Sequence, residues 1–265
     1  MRYFLHLSYH GSNYRGWQSQ GIGSSVQEEV EKKLSKILKN PINCMGCGRT
    51  DAEVNASQYF LHFDVKNQLD FDLVFRLNKI LPDDISIFEI IPLPDNCHAR
   101  FDAISRTYDY FIHTKKNPFL SKLSAFYLLD KLNLTNMNKA VGLLTKYNDF
   151  RSFCKTPEAH NTTICHVTAA KLFYNSDGEN LRFQITANRF LRGMIRIIVK
   201  KLIELGKGEI TLEEFENILI KNETPCNLKF AYPQGLYLSK IEYPYLSIPS
   251  QSAFSNIKNN KWIEL

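Results

Sequence analysis

The chain has 265 residues, 44% of them hydrophobic and 12% aromatic, and its 33 Lys+Arg against 27 Asp+Glu leave a formal charge of +6. That composition suits a globular protein of one or two domains with a sizeable core, and it excludes a fibre, a long coiled coil and wholesale disorder. No run approaches the roughly 18 apolar residues that span a bilayer, and Met1–Tyr9 interleaves His6 and Ser8 with its apolar residues instead of forming a secretory core, so a cytoplasmic protein with no membrane partner is expected.

Arg2–Tyr9 alternates, with Tyr3, Leu5, Leu7 and Tyr9 on one side and Phe4, His6 and Ser8 on the other, which predicts a half-buried strand. After a glycine-rich loop, His10–Ser24, the sequence Ser25-Val-Gln-Glu28 forms a capping-box pattern. Val26, Val30, Leu34, Ile37 and Leu38 then recur at helical spacing until Asn40-Pro41. A second alternating run sets Tyr59, Leu61, Phe63 and Val65 on one face of a strand. Phe71–Leu81 predicts a helix ended by Pro82, and Ile85–Ile91 a strand of continuous apolar type. The first ninety or so residues thus predict β-α-β-α-β.

A strand over Arg106–His113 and a helix over Asn136–Lys146 follow. Two strands, Thr163–Tyr174 and Leu181–Ala187, are joined by a tight turn at Asn175-Ser-Asp-Gly178. A long helix is expected over Phe190–Leu205, stopped by Gly206. Thr211-Leu-Glu-Glu214 caps another, and Leu236–Ile241 forms a last strand before a polar, loosely structured tail from Pro244 that includes Trp262. The expected class is α/β or α+β, with antiparallel pairing and helices on the face of the sheet. Two loosely repeating halves, 1–104 and 105–265, are expected to share one continuous core.

Six cysteines without an export signal are expected to be buried reduced thiols. Cys44 and Cys47 form a CxxC without a second pair, half of a zinc site, so no metal is expected. The mild positive charge permits a polyanionic partner without requiring one.

Gly46-Cys-Gly-Arg-Thr-Asp-Ala52 is the most unusual local sequence. Taken alone it reads most simply as a surface turn. The competing reading is that Asp51, with the Arg49 guanidinium nearby, serves as an ionised nucleophile or base. On a helix starting at Phe190, Arg189, Arg192, Arg196, Lys200 and Lys207 would fall within about 80° of one another, opposite an apolar face. Such a stripe is either a solvated face or a phosphate contact. His98-Ala-Arg-Phe101, Arg106-Thr-Tyr-Asp-Tyr110 and Tyr14-Arg-Gly-Trp-Gln18 mix basic and aromatic residues, as groups that meet a sugar-phosphate backbone and stack on bases do.

Together these segments resemble the TruA-type tRNA pseudouridine synthases, in order and over nearly the whole chain. Tyr9-His-Gly-Ser-Asn-Tyr-Arg-Gly-Trp-Gln-Ser-Gln20 resembles the family's YDGT-x-Y-x-GWQ-x-Q, and Ser25-Val-Gln-Glu28 its SVQ-E. Gly48-Arg-Thr-Asp-Ala52 resembles the catalytic GRTDA, His98-Ala-Arg-Phe101 the HARF segment and Arg106-Thr-Tyr108 the RTY. Asp149-Phe-Arg-Ser-Phe153, Phe190-Leu-Arg-Gly-Met-Ile-Arg196 and Gly235-Leu-Tyr-Leu238 are similar to DF-x-SF, F-x-x-x-MVR and GLYL. The resemblance implies an isomerase that breaks the N1–C1′ bond of uridine in tRNA, in the anticodon arm, and rejoins the base through C5. It implies no cofactor and no metal. It implies two similar α/β halves around a central, largely antiparallel sheet, with the active cleft between them, and a homodimer.

In catalysis the resemblance makes Asp51 the essential carboxylate, with Arg49 beside it. Tyr108 packs on the target base, and Arg196 pairs with the aspartate. For substrate binding it points to Leu236 in the uracil pocket, and Gln18, His98, Arg100, Phe101, Arg106, Arg192 and Lys200 are the expected RNA contacts. Two departures stand out. Glu53 and Asn55 replace the Gly and His of the family's GRTDAGVH, and Met194-Ile-Arg-Ile-Ile-Val-Lys200 replaces MVRNIVG. They keep a non-catalytic RNA-binding module on the same fold in view. A glycoside hydrolase using Asp51 and Glu53 is a poor third, because residues two apart rarely reach opposite faces of a sugar.

Overall fold

The computed structural model describes residues 1–21, 23–129, 131–224, 227–249 and 262–265. Two compact units divide the chain, one of Met1–Ile104 with Tyr237–Ala253, the other of Ser105–Leu236 with Phe254–Leu265. The elements mix helices with largely antiparallel strands, an α+β arrangement.

The first unit carries β1 (Arg2–Tyr9), α1 (Val26–Leu38), β2 (Met45–Gly46), β3 (Asn55–Asp64), α2 (Leu73–Ile80) and β4 (Ile85–Leu93). β1 lies between β3 and β4, antiparallel to both. Contrary to the half-buried expectation, Phe4 and His6 are as buried as Tyr3, Leu5 and Leu7. The register explains it: Phe4 faces His62 and His6 faces Phe60 across the ladder, so the second face is itself an aromatic layer, closed by Tyr243 edge-on to Phe4 and Phe60. β3 is buried on both faces for the same reason. β4, expected to be enclosed, is instead the outer strand and is half-exposed over much of its length. β2 is too short to show periodicity and was not foreseen.

The Ser25–Glu28 capping box starts α1 as the sequence predicts, and the helix ends at Lys39 in the left-handed conformation. α2 is shorter than expected, because the Asp72 side chain accepts from Phe75 N–H and fixes the start there.

The second unit carries β5 (Ser105–His113), β6 (Ala125–Phe126), α3 (Leu134–Leu143), β7 (Val167–Asn175), β8 (Asn180–Ala187), α4 (Met194–Gly206) and α5 (Leu212–Lys221). β9 (Leu236–Glu242) starts on Leu236 of the second unit and continues in the first, where it pairs parallel with β3 at Asn55↔Tyr237 and Ala56↔Leu238. β7 and β8 form the expected hairpin, with Gly178 at φ 68° and its N–H donating to Asn175 O at 3.0 Å. β10 (Trp262–Glu264) pairs antiparallel with β7, so Trp262 belongs to the sheet and not to a loose tail. The rest of that tail from Ser250 lies outside the described residues.

α4 begins at Met194, not Phe190. Gly193 stands before it at φ 74°, where a helix cannot pass, and a Cβ there would lie 2.6 Å from the Phe230 ring. Arg189 and Arg192 therefore precede the helix and Lys207 is its C-cap, so the five-residue stripe does not exist as a helical face. The helix is also buried nearly all round, Ile197, Val199 and Ile203 included.

Cys44, Cys47, Cys97, Cys154 and Cys165 are buried free thiols, as expected, and Cys226 lies outside the described residues. Among the described residues no helix is long and apolar enough to cross a membrane.

Candidate active site

The segment from Gly46 to Val54 leaves the short β2 and is clamped from three sides before β3 begins. Cys47 N–H donates to Phe60 O at 2.8 Å, and the Tyr59 hydroxyl donates to Gly48 O. Tyr9 and Thr50 share a hydroxyl hydrogen bond of 2.8 Å, and Trp17 N–H donates to Thr50 O at 3.4 Å. The Trp17 indole stacks on Tyr59 with centroids 4.2 Å apart, and Tyr9 contacts both rings. Two glycines allow this approach. A Cβ on Gly16, at φ +95°, would lie 2.3 Å from Thr50 O, and one on Gly46 would lie 2.2 Å from the Tyr59 hydroxyl oxygen. Thr50 is buried, whereas Asp51 is half-exposed on a backbone fixed on both sides. The sequence marked Trp17 as a group that meets RNA, whereas it is buried against Tyr59 and supports the loop from within; the supporting roles of Tyr9, Tyr59 and Gly46 were not foreseen. The signal was there, in the glycines and aromatics of the YDGT- and GWQ-like segment.

After Asp51 the chain turns, and Val54 N–H donates to Asp51 O at 3.2 Å. Glu53 occupies the turn position with φ 64°, a conformation that favours glycine, and its side chain is exposed. The departure from the family's glycine is thus a backbone strain on the surface. Asn55 is wholly buried, and its Oδ1 accepts from Gly11 N–H at 2.8 Å, satisfying an amide that would otherwise be an orphan.

Arg49 is exposed, and its Nε donates to Gln18 Oε1 at 3.2 Å. Among the described contacts it forms no ion pair with Asp51, so the partner that orients this guanidinium is an amide from the first loop.

His98 organises the turn that carries Arg100 and Phe101. Its Nδ1 accepts from both Arg100 N–H (3.1 Å) and Phe101 N–H (3.2 Å), while the His98 backbone N–H donates to Asp102 Oδ2 at 2.6 Å. Ala99 N–H donates to Nδ1 of His62, and the Tyr243 hydroxyl donates to Ala99 O. All of these imidazole nitrogens act as acceptors, so both rings must be neutral at Nδ1. Burial and the Arg2 guanidinium push His62 down to about 4, and burial lowers His98 as well. The result is an exposed ring, Phe101, 75% accessible and resting on His98 at 4.3 Å between centroids, with Arg100 beside it. His98 supports this surface from beneath.

In the second unit, Tyr108 lies on β5, mostly buried, with Phe190 edge-on at 5.1 Å. Arg106 donates from Nη1 to Asn188 O at 3.1 Å. Arg196, on the first turn of α4, donates from Nε to Ala231 O at 2.8 Å and lies over the Phe230 ring. Leu236 is buried at the start of β9. Arg192 is exposed, and its carbonyl accepts from Lys155 N–H at 2.9 Å. Lys200 is half-buried and pairs with Glu204 at 3.7 Å, as Lys201 does at 2.8 Å.

The chain is 40% identical over 247 residues to a tRNA pseudouridine synthase A of Parabacteroides distasonis, covering 92% of this chain and 96% of that one. It is 43% identical over 245 residues to one of Azobacteroides pseudotrichonymphae, covering 92% and 97%. The chain belongs to the tRNA pseudouridine synthase A family. A Bacteroides thetaiotaomicron member is 41% identical over 247 residues, covering 92% of this chain and 91% of that one, and the family model described as tRNA pseudouridine synthase matches residues 147–244. These relatives are named as enzymes, and the non-catalytic alternative gains no support.

Proposed function

We infer that the protein isomerises uridine in tRNA to pseudouridine. The N1–C1′ bond breaks, C1′ joins C5, the C5 proton leaves and N1 gains one. Atoms and electrons balance within the nucleotide, so the reaction as written calls for no cofactor. The observation that carries the reading is the presentation of Asp51, a half-exposed carboxylate on a backbone locked by Tyr9, Trp17 and Gly16. An anion held in advance at the place where a glycosidic carbon becomes electron-poor lowers the barrier without reorganising at the moment of reaction.

Around Asp51 the reading gives Arg49 to the RNA strand, Tyr108 to the face of the target base, Arg196 to the aspartate and Leu236 to the uracil pocket. A stacked uridine must first be extruded, at a cost of a few kcal/mol. Gln18, His98 acting through its turn, Arg100, Phe101, Arg106, Arg192 and Lys200 supply the offsetting contacts to phosphate and base. The substrate is the anticodon arm, and the working form is a cytoplasmic homodimer. The relatives' names support tRNA as the substrate, and the ordered motifs are what support the arm, the location and the dimer.

Incubating tRNA tritiated at uridine C5 with the wild type releases tritium, and Asp51→Asn abolishes release while retaining tRNA binding. Equal release by the two proteins would overturn the assignment. Mapping pseudouridine in the product RNA tests the anticodon arm, and sedimentation tests the dimer.

A further inference from the structure

We propose that a hollow in the first unit, beside the catalytic loop, is a subsite for one phosphate of the RNA backbone, held between Arg49 and Arg100, with Gln18 as a positioning residue. The proposal rests on the synthase reading. The hollow encloses about 160 Å³ and is lined by Trp17, Gln18, Gln27, Gly48, Arg49 and Arg100 among others, with no carboxylate in its lining. Ligand pockets for whole small molecules begin at roughly 300 Å³, so this one takes part of a nucleotide.

The lining decides which part. Gln27 has no edge left for a base: its Nε2 donates to Glu31 Oε1 (2.9 Å) and Cys44 O (3.1 Å), and its Oε1 accepts from Gln18 Nε2 (3.0 Å) and Ser19 N–H (3.2 Å). Gln18 in turn spends its Oε1 on Arg49 Nε. The result is a relay from Glu31 through Gln27 and Gln18 that holds Arg49 by its inner nitrogen. Both η nitrogens of Arg49 are left without a protein partner among the described residues. Arg49 and Arg100 both bring positive charge to this lining, and an anion seated in the hollow is attracted by both. A phosphodiester carries one charge and two oxygens, matching the guanidinium fork.

The test uses ligated tRNA in which single phosphates around the modified uridine are replaced by neutral methylphosphonates. Wild-type binding falls about tenfold or more at one linkage. Arg100→Gln binds unmodified tRNA correspondingly more weakly and loses nothing further at that linkage. Gln18→Met, which removes the grip on Arg49, flattens the same linkage effect while its melting curve reports folding. Should it fail to fold, the exposed Arg100 variant still decides.

If the losses from Arg100→Gln and from neutralisation multiply at every linkage, the subsite is refuted even though the wild type still makes pseudouridine. If sodium phosphate competes with tRNA at constant ionic strength but no single linkage matters, the hollow binds free anion and the RNA assignment falls. Absence of tritium release from the wild type would overturn the synthase reading instead, whatever the linkage scan shows.

Discussion

Two arginine-bearing segments of the molecule are held by different means. Around Asp51 side chains distant in sequence add to the main-chain bonds: the Tyr9 and Tyr59 hydroxyls reach Thr50 and Gly48, the Trp17 backbone N–H meets Thr50 O, and Gly16 lets the first loop touch the Asp51 loop. Around Arg192 and Arg196 the pins are mostly main-chain. Lys155 N–H meets Arg192 O, Ala231 N–H meets Arg196 O, and Gly193 turns the chain into α4. Side-chain pins fix a position but fail together, because each depends on the others' packing. Main-chain pins tolerate changes of side chain, which suits a surface whose task is to offer charge.

The comparison breaks most visibly at its two glycines. Gly16→Ala puts a Cβ 2.3 Å from a backbone oxygen that cannot yield, at φ +95°. We expect a loss of about 3 kcal/mol or more, read from the urea midpoint, and near-complete loss of tritium release because Asp51 shifts. Gly193→Ala meets only the Phe230 ring, a side chain free to move, at φ +74°. About 1–2 kcal/mol is expected, with activity retained at reduced tRNA affinity. If both variants were equally destabilised, the contrast between rigid and yielding surroundings would be wrong.

Acidification probes the first unit through His62. His62 has its folded pKa lowered to about 4, below the ordinary value of 6.5. Between those values the unfolded chain binds the extra proton, so stability is full above about pH 6.5 and declines as pH falls toward 4. A loss of about 1–2 kcal/mol between pH 7 and pH 5 is expected from denaturant titrations, and His62→Gln should flatten the profile. The smallest effect is Glu53→Gly, which relieves the positive φ of the turn. It should raise stability by up to about 1 kcal/mol and leave the rate of tritium release unchanged, because the Glu53 side chain is exposed.

Local chemistry was legible from the residues. The Ser25–Glu28 and Thr211–Glu214 capping boxes and the Asn175–Gly178 turn formed as expected, because each is decided within a few neighbouring residues. The start of α4 was misread because apolar spacing continues through Gly193, while the backbone angle that ends the pattern leaves no trace in periodicity. The second buried face of β1 depends on which strands flank it, and β2, β6 and β10 are too short to show a period. In the candidate site, ordered motifs marked Asp51 and Arg49. They could not show that Gln18, 31 positions away, would hold the arginine, or that Glu53 would take up a strained turn.

One feature of the first unit bears on when the enzyme becomes competent. The strand that opens with Asn55 is bordered by Tyr237 and Leu238, Gln58 accepts from Ile241 N–H, and Tyr243 braces Ala99 beneath the Arg100 turn. Residues synthesised early are therefore completed by a stretch translated some 180 positions later. A ribosome that has released only the opening hundred residues has an unfinished first unit beside it, and maturation must wait for this late return, in the manner of a clasp closed after the garment is sewn.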